Sequence, residues 1–455
     1  MKQNIRPLKS HLAMASVILL LLLIWQARTI KNNWTRAQAY EQEWVAESLL
    51  YGYGYSFDPA TAWLGPYGNG TTYSHTAWVE PIYTFLIAGV LKAFGEYGRL
   101  VLTLLNILWL GLSGLMVYLL VGELLDHRSG LFTSILYLVL HGSRQDVIVY
   151  IGNAALSGLL YGLLAYLLIR VMKYPTVTGV IILGITTGIA NLNHAGTLLF
   201  GPLSAIIILT CLGIRSGDAW RKSLLLIATV GIMLTPWMIR NYAVFGKFVP
   251  VRSGFGYQLY IGNPGLAHTI AQGHEFQVGD LPSLWIAENA LQALQRLRNL
   301  EYDAALADYS KRVVSGIDPV NYRSYNEVER DRVFLNHSLA FFRKEPILSA
   351  KLLFWKLVTF LSFGKIMLSL IAIAAILGGL IFIKDNRVAI LVLLIGAYMF
   401  PYVLTLPLYY RYRSSIEPMF FVLGGLFLSV VLRKSTMILW LLVAWIRDRG
   451  GRLLW

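Results

Sequence analysis

Long apolar runs divide this chain and constrain its fold more than any other feature. A helix needs about 17–25 largely apolar residues to cross a bilayer. By that measure the sequence predicts about ten spans, at 11–27, 99–122, 129–146, 151–172, 176–193, 196–214, 222–240, 364–383, 387–406 and 417–433. With 56% hydrophobic and only 14% charged residues, the composition excludes an ordinary soluble domain. We therefore predict an all-α polytopic membrane protein.

Basic residues set the predicted topology. The short connections on one side of the spans carry Lys or Arg, which marks that side as cytoplasmic. These residues account for much of the net charge of +15, so nucleic acid is not an expected partner. The run 11–27 has no small-residue cleavage site after it, which predicts an uncleaved first span. The stretch 437–445 is short and amphipathic, and we expect it to lie along the interface.

Two long polar segments fall on the outer side of this topology, at 28–98 and 241–363. The predicted organisation is a transmembrane module over 1–240 that includes the first outer loop, a second outer loop over 241–363, and C-terminal transmembrane helices with an interfacial tail over 364–455. Two large loops over one helical bundle predict a single active surface. It would face outward from a plasma membrane, bacterial or archaeal.

Three acids lie on a predicted helix over 42–51, just after the first span. Glu43 and Glu47 share a helix face at a spacing of four, whereas Glu41 points elsewhere. A carboxylate at an interface beneath aromatic side chains suits a general base that faces a hydroxyl. The alternative is that all three face water or pair with neighbouring basic residues.

Glu80 stands in the apolar frame AWVEPIY, where a carboxylate needs a partner or a function. Pro81 is a typical first helical residue, and 81–94 predicts an amphipathic helix at the interface. Glu80 is thus either a functional acid, or an interfacial ion pair or helix N-terminal charge. Nearby His75 is either a proton carrier or an exposed loop residue.

Three arginines lie at outer ends of spans, against the positive-inside bias: Arg240, Arg411 and Arg413. Guanidinium groups bind phosphate with paired hydrogen bonds, so a lipid-linked phosphate would explain them. The alternatives are contact with lipid head groups and pairing with Glu417. His194, beside Asn193 at another outer end, either lines a cavity or hydrogen-bonds a helix end.

Motifs for soluble cofactor binding are missing from the sequence. It contains no P-loop, no dinucleotide glycine motif and no His/Cys metal spacing, and its single cysteine, Cys211, lies in an apolar run. No cofactor is required by these residues. The acidic cluster has oxygen ligands that suit a divalent cation, although nothing in the sequence demands one.

Several strings, in order over nearly the whole chain, resemble one family. They are Val45–Gly54, Glu80–Tyr83, Pro236–Asn241 with Phe245–Gly246, Gly256–Asn263, and Arg411–Arg413 with Pro418. The chain resembles the GT-C superfamily of membrane glycosyltransferases, in the branch with protein O-mannosyltransferases and the lipid A aminoarabinose transferase. That family usually has Asp after its first span, where this chain has Glu41 and Glu43.

The resemblance implies a GT-C-like bundle that uses a polyprenyl-phosphate-linked sugar and transfers it, with inversion, to a lipid, glycan or protein acceptor. It implies Glu43 or Glu41 as the base, with Glu80 assisting, and Arg240, Arg411 and Arg413 on the donor phosphate. Further substrate contacts are expected from Tyr55, His75, Tyr83, His194, Tyr260, Asn263 and Tyr410. Membrane lipids are the other expected partners. A lipid-linked sugar flippase and a non-catalytic lipid-sugar-binding protein remain the alternatives.

Overall fold

The computed structural model describes residues 41–57, 73–142, 152–265, 325–361, 366–405 and 413–450. The predicted first span, Tyr410 and Arg411 lie outside these residues. Helices make up most of the described chain, as predicted, and a two-stranded antiparallel sheet lies in the first outer segment.

The elements follow one another along the chain with short connections. The first half holds α1 (Glu41–Leu50), β1 (Ser56–Phe57), β2 (Ser74–His75), α2 (Pro81–Phe94), α3 (Gly98–Leu124), α4 (His127–Gly142), α5 (Ala154–Lys173), α6 (Val177–Asn193) and α7 (Phe200–Leu212). The second half holds α8 (Gly217–Phe245), α9 (Phe255–Tyr260), α10 (Glu327–Lys344), α11 (Pro346–Leu361), α12 (Ile366–Phe382), α13 (Asn386–Leu404) and α14 (Glu417–Gly450). Short 3-10 turns lie at Gly95–Tyr97 and Ala195–Thr197, and a π-helical turn follows α9 at Ile261–Gly265.

Five stretches of the described residues are long and apolar enough to cross a membrane. They are Pro81–Leu124, Ala154–Lys173, Ala195–Leu212, Gly217–Phe245 and Asn386–Leu404. This confirms an all-α, multi-pass membrane protein, while the number of about ten spans stays a prediction. In two of the five, Ala195–Leu212 and Gly217–Phe245, only 33% of the most apolar window is buried inside the protein. An apolar surface of that extent needs lipid around it.

Close helix packing depends on small residues at the crossings. A Cβ on Gly378 of α12 would lie 2.1 Å from the carbonyl oxygen of Leu423 on α14. A Cβ on Gly130 of α4 would lie 2.6 Å from the carbonyl oxygen of Tyr118 on α3. The backbones therefore approach more closely than any larger residue would allow, as is common between transmembrane helices.

Local signals placed the outer helices well. The helix predicted over 81–94 is α2, Pro81–Phe94, and the one predicted over 42–51 is α1, Glu41–Leu50. The C-terminal stretch differs, because 437–445 is part of α14, which continues unbroken from Glu417 to Gly450. Residues 434–449 contain neither Pro nor Gly, so the sequence holds no signal that would end the helix there. The interfacial position of that stretch stays a prediction.

Candidate functional site

The first outer segment fixes the start of α2. Strand β1 pairs with β2 in the register Ser56↔His75, and the Thr76 N–H donates to the Tyr55 carbonyl over 3.1 Å. The next residues, through Glu80, are all buried. Because Pro81 begins the helix, Glu80 is its N-cap residue, although its side chain makes no capping bond. Its carboxylate is therefore available for partners from other parts of the chain.

The Glu80 carboxylate is 3% exposed and has partners from two distant segments. Its Oε1 accepts a hydrogen bond from Ala195 N over 3.1 Å and lies 3.4 Å from Nη1 of Arg252. Burial alone would raise the pKa of Glu80, but the charges of Arg252 and His194 and the Ala195 N–H outweigh it. The pKa therefore lies below its ordinary value of 4.5, and the carboxylate is ionised.

Arg252 was not among the sequence-predicted residues, although it completes this ion pair. Its guanidinium lies 5.0 Å from the centre of the Trp78 ring, and its Nε donates to the Ser253 carbonyl. The Arg252 side chain keeps 23% of its surface exposed, against 4% for Glu80. One member of the pair is thus enclosed, while the other reaches the surface.

His194 joins the same region through the turn after α6. It is buried, and its Nδ1 accepts a hydrogen bond from Gly196 N over 3.2 Å. That bond leaves the proton on Nε2, which lies 2.9 Å from the hydroxyl of Tyr402 on α13. The Asn193 side chain donates to Ser157 on α5. The structure thus brings Glu80 and His194 together, as the sequence suggested, and adds Arg252 and Tyr402.

Arg240 lies in α8 and holds the first outer segment in place. Its Nη1 donates to the Thr76 carbonyl over 2.7 Å, and its Nη2 donates to the Tyr55 carbonyl over 3.0 Å. The guanidinium also lies 5.0 Å from the centre of the Trp237 ring. These contacts are with the protein itself. A role toward donor phosphate stays a prediction for this residue.

The acids of α1 have separate surroundings. Glu43 is buried and accepts a hydrogen bond from Nε of Arg99 at the start of α3, over 2.9 Å. Glu41 is half-buried in the first turn of the helix. The pairing of Glu43 matches the alternative in which these acids meet basic residues. Their role as a base stays a prediction.

Arg413 is buried at the N-terminal side of α14. Its Nη1 donates to the Phe360 carbonyl over 3.2 Å, and its Nε lies 3.6 Å from Oε1 of Glu417. The other oxygen of Glu417 bonds Nδ1 of His141 on α4. Pairing of Arg413 with Glu417 is thus present, as one sequence alternative proposed, and contact with donor phosphate stays a prediction.

Two predicted substrate contacts lie inside the protein. The Tyr55 hydroxyl donates to the Val79 carbonyl over 3.0 Å and lies 3.1 Å from Oγ1 of Thr84. The Tyr83 ring is fully buried, and its hydroxyl lies 3.4 Å from Oδ1 of Asn106. Burial raises the pKa of Tyr55, so its hydroxyl stays protonated. In this structure both residues support the first outer segment and α2.

The remaining predicted contacts divide between surface and interior. His75 is exposed, with its Nδ1 3.0 Å from the Ser56 hydroxyl. Tyr260 is buried against Phe334. Asn263 is also buried, and its side-chain NH₂ group donates to the Leu404 carbonyl.

A buried lysine beside Asn263 joins three parts of the fold. Nζ of Lys356 on α11 donates to Oδ1 of Asn263 over 2.7 Å. It also donates to the backbone carbonyls of Gly262, Leu404 and Thr405. One ammonium group therefore fixes the turn after α9 to the end of α13.

Two further acids escaped the sequence reasoning. Glu327 and Asp331, both on α10, accept hydrogen bonds from the outer segments around Trp78 and Arg252. Their helix begins with a capping box, in which Asn326 and Glu329 exchange hydrogen bonds, and this sequence pattern was readable. Arg252 had a signal too, because it is an outer arginine of the kind that singled out Arg240.

The chemistry available at this junction is that of an ionised carboxylate beside a partly exposed guanidinium. Such a pair can orient or deprotonate a hydroxyl and can bind an anion. Among the described residues, no group of three or more His, Cys, Asp or Glu is placed to hold a metal ion.

Comparison with known proteins bears on the fold. No protein-family model matches the chain, and no curated protein matches it. Among solved structures, the archaeal oligosaccharyltransferase AglB from Archaeoglobus fulgidus, in complex with an inhibitory peptide and a dolichol-phosphate, has a TM-score of 0.53 at 15% identity. The alignment covers 97% of this chain and 52% of that chain.

A second structure of that enzyme, in complex with Zn and sulfate, has a TM-score of 0.51 at 15% identity and covers 96% of this chain and 51% of that one. The chain thus spans about half the length of these proteins. AglB is a GT-C membrane glycosyltransferase, so the chain has a GT-C fold, which confirms the predicted resemblance at the level of fold.

Proposed function

We propose that this protein is a membrane glycosyltransferase that moves a sugar from a polyprenyl-phosphate donor to an acceptor hydroxyl at the outer membrane face. The observation that carries the proposal is the Glu80–Arg252 pair, an enclosed carboxylate 3.4 Å from a partly exposed guanidinium. The GT-C fold supports it, because the AglB structure that aligns with this chain contains a dolichol-phosphate.

In the proposed reaction, Glu80 is the base. Its carboxylate takes the proton of the acceptor hydroxyl as the oxygen attacks the anomeric carbon of the sugar. The bond between that carbon and the phosphate oxygen breaks on the opposite face, so the anomeric configuration inverts. The lipid phosphate leaves as an anion, and Arg252 neutralises the charge that develops on it. Glu43 and Glu41 are the other candidate bases, and Arg240, Arg411 and Arg413 the other candidate phosphate ligands.

The pairing of Glu80 with Arg252 has a second consequence for this mechanism. A lowered pKa makes Glu80 a weak base while its partner stays in place. When a donor phosphate draws the Arg252 guanidinium toward itself, the carboxylate loses part of the positive charge that stabilises its ionised form. Its proton affinity then rises as the donor binds, which couples donor binding to activation of the acceptor.

The test is a transfer assay with the purified full chain in lipid nanodiscs, a labelled polyprenyl-phosphate sugar, and lipid, glycan or peptide acceptors. We expect sugar transfer by the wild type and a loss of about a hundredfold or more in Glu80→Gln. The matched control is Glu329→Gln, a capping residue of α10 away from Glu80, which should transfer sugar like the wild type.

Two results would overturn the proposal. Movement of the donor across the bilayer of proteoliposomes without transfer would indicate a flippase. Donor binding with neither transfer nor movement would indicate a non-catalytic binding protein. A Glu80→Gln variant as active as the wild type would leave transferase activity in place and remove Glu80 as the base.

A further inference from the structure

Glu327 lies in the first turn of α10 and binds two segments that are distant from it in sequence. Its Oε2 accepts a hydrogen bond from the Thr76 hydroxyl over 2.6 Å, and its Oε1 accepts one from Ala77 N over 2.9 Å. The Ser253 hydroxyl also donates to Oε1. One carboxylate therefore collects three donors, two from the first outer segment and one from the segment after α8.

These three donors flank the Glu80–Arg252 pair. Ala77 precedes Glu80 by three residues, and Ser253 follows Arg252 directly. The two segments also bond each other, because Ser253 N donates to the Ala77 carbonyl over 2.9 Å. The position of Glu80 relative to Arg252 thus depends on the register of two segments, and Glu327 is the side chain that binds both.

Enclosure separates Glu327 from a role in contact with substrate. Glu327 is 4% exposed, and both of its oxygens already accept hydrogen bonds from the protein. Asp331, one turn further along α10, also faces these segments, but its acceptors bind Gly256 N and Tyr257 N at the start of α9. The two acids therefore have different tasks, and Glu327 alone of the two bonds the residues next to Glu80 and Arg252.

We infer that Glu327 is a positioning residue that sets the register between residues 76–80 and 251–253 and so holds Glu80 and Arg252 at their working separation. This inference rests on the proposed function, because it gives the separation of that pair a catalytic meaning. A misplacement of about 1 Å between reacting groups can lower a rate by about a hundredfold, so loss of register is a large effect.

The first experiment measures the register without using activity. Hydrogen–deuterium exchange of the full chain in nanodiscs is followed in peptides that cover 73–80 and 249–257. In Glu327→Ala we expect faster exchange in both peptides, because Ala77 N loses its acceptor. In Glu327→Gln we expect exchange close to that of the wild type, because the amide oxygen can accept from Ala77 and Ser253 while the NH₂ group donates to Thr76.

The matched control is Glu329→Ala, two residues along the same helix. It removes an equal carboxylate, which bonds Asn326 N, but leaves the contacts to the outer segments intact. We expect normal exchange in 73–80 and 249–257 and normal transfer. Should Glu327→Ala fail to fold, Ser253→Ala removes one donor from the other side and should raise exchange in the same two peptides to a smaller degree.

The second experiment measures transfer. We expect kcat/KM to fall between about tenfold and a hundredfold in Glu327→Ala, and Glu327→Gln to restore it to within about threefold of the wild type. Equal loss in the Ala and Gln variants would overturn the inference, because it would mean that the charge of Glu327 takes part in the chemistry. Unchanged exchange in Glu327→Ala would also overturn it. If the wild type transfers no sugar, the proposed function fails, and the exchange data still decide whether Glu327 sets the register.

Discussion

Glu80 and Arg252 lie 172 residues apart in the chain, yet Oε1 of the first is 3.4 Å from Nη1 of the second. The pair joins the start of α2 to the segment that follows α8. Its two members differ in exposure, so a ligand would meet the guanidinium first and the carboxylate second. That order suits a reaction in which an anionic donor binds before a hydroxyl is deprotonated.

Arg252→Ala should lower kcat/KM for a polyprenyl-phosphate sugar by about a hundredfold to a thousandfold, because the leaving phosphate loses its nearest proposed cation. Arg252→Lys should keep part of the activity, since an ammonium retains the charge but loses the two-pronged geometry. Steady-state kinetics in nanodiscs measure both. The control is Arg387→Ala, which breaks an ion pair with Asp385 between α12 and α13 and should transfer normally. Normal donor use by Arg252→Ala would remove Arg252 from the site.

The acid limb of the pH–rate profile should follow Glu80. Its pKa lies below 4.5 because Arg252 and His194 outweigh the effect of burial, so activity should fall only at pH values below that range. Removing Arg252 takes away the largest lowering influence. In Arg252→Ala the acid limb should therefore move to higher pH, which rate measurements across the acidic range would detect. A limb that stays in place would mean that another group governs it.

Glu327 should make stability depend on pH with the opposite sign. Burial raises its pKa above 4.5, and the bonds from Ser253, Thr76 and Ala77 offset this only in part. The folded protein must then release this proton at a higher pH than the unfolded chain does. Stability is therefore lost as pH rises from 4.5 through the folded pKa.

The Tm of Glu327→Gln relative to the wild type should accordingly become more favourable as pH rises over that window. Asp331 and Arg240, the charged groups that also act on this site, are unchanged in the variant. Glu329→Gln, which lacks a buried carboxylate partner set, serves as the control. A Tm difference that is constant with pH would show that Glu327 does not titrate in this range.

Gly254→Ala should damage the site through shape alone. The φ of Gly254 is +89°, and a Cβ there would lie 1.8 Å from the Trp78 ring, on which Arg252 also rests. Left-handed backbone costs a residue with a side chain about 1–2 kcal/mol, and overpacking adds about 1–3 kcal/mol. Gly246→Ala is the matched control, because its φ is +64° and its Cβ would meet nothing within 4 Å.

We expect a larger fall in Tm for Gly254→Ala than for Gly246→Ala, with a fall in transfer confined to the former. Thermal unfolding in detergent or nanodiscs, followed by the transfer assay, separates the two. Equal losses in both variants would mean that only the backbone conformation matters and that contact with Trp78 does not.

Local sequence signals predicted much of the fold. Helix α2 has the predicted bounds because Pro81 favours a first helical position and Gly95, with a φ of +53°, ends the helix. The continuation of α14 to Gly450 was missed, since hydropathy falls after Val431 while helix propensity does not. A span predicted from hydropathy and a helix defined by hydrogen bonds need not end at the same residue.

The site was predicted less completely, for a physical reason. Glu80 was identified because its apolar neighbours made a lone carboxylate costly, which is visible within seven residues. Its partner Arg252 and its support Glu327 lie far along the chain, and no periodicity or capping rule encodes such pairs. Arg240 had the right charge at the right side of the membrane, but its guanidinium binds the carbonyls of Tyr55 and Thr76.

The low burial of α8 has a consequence for how a long-chain lipid would reach Arg252. Two thirds of the most apolar part of this helix faces away from the protein, and the chain continues from its end to the guanidinium within a few residues. Hydrocarbon can therefore stay among the surrounding acyl chains and needs no tunnel through the bundle. Only a head group would have to leave water, so the length of the hydrocarbon should matter little to recognition.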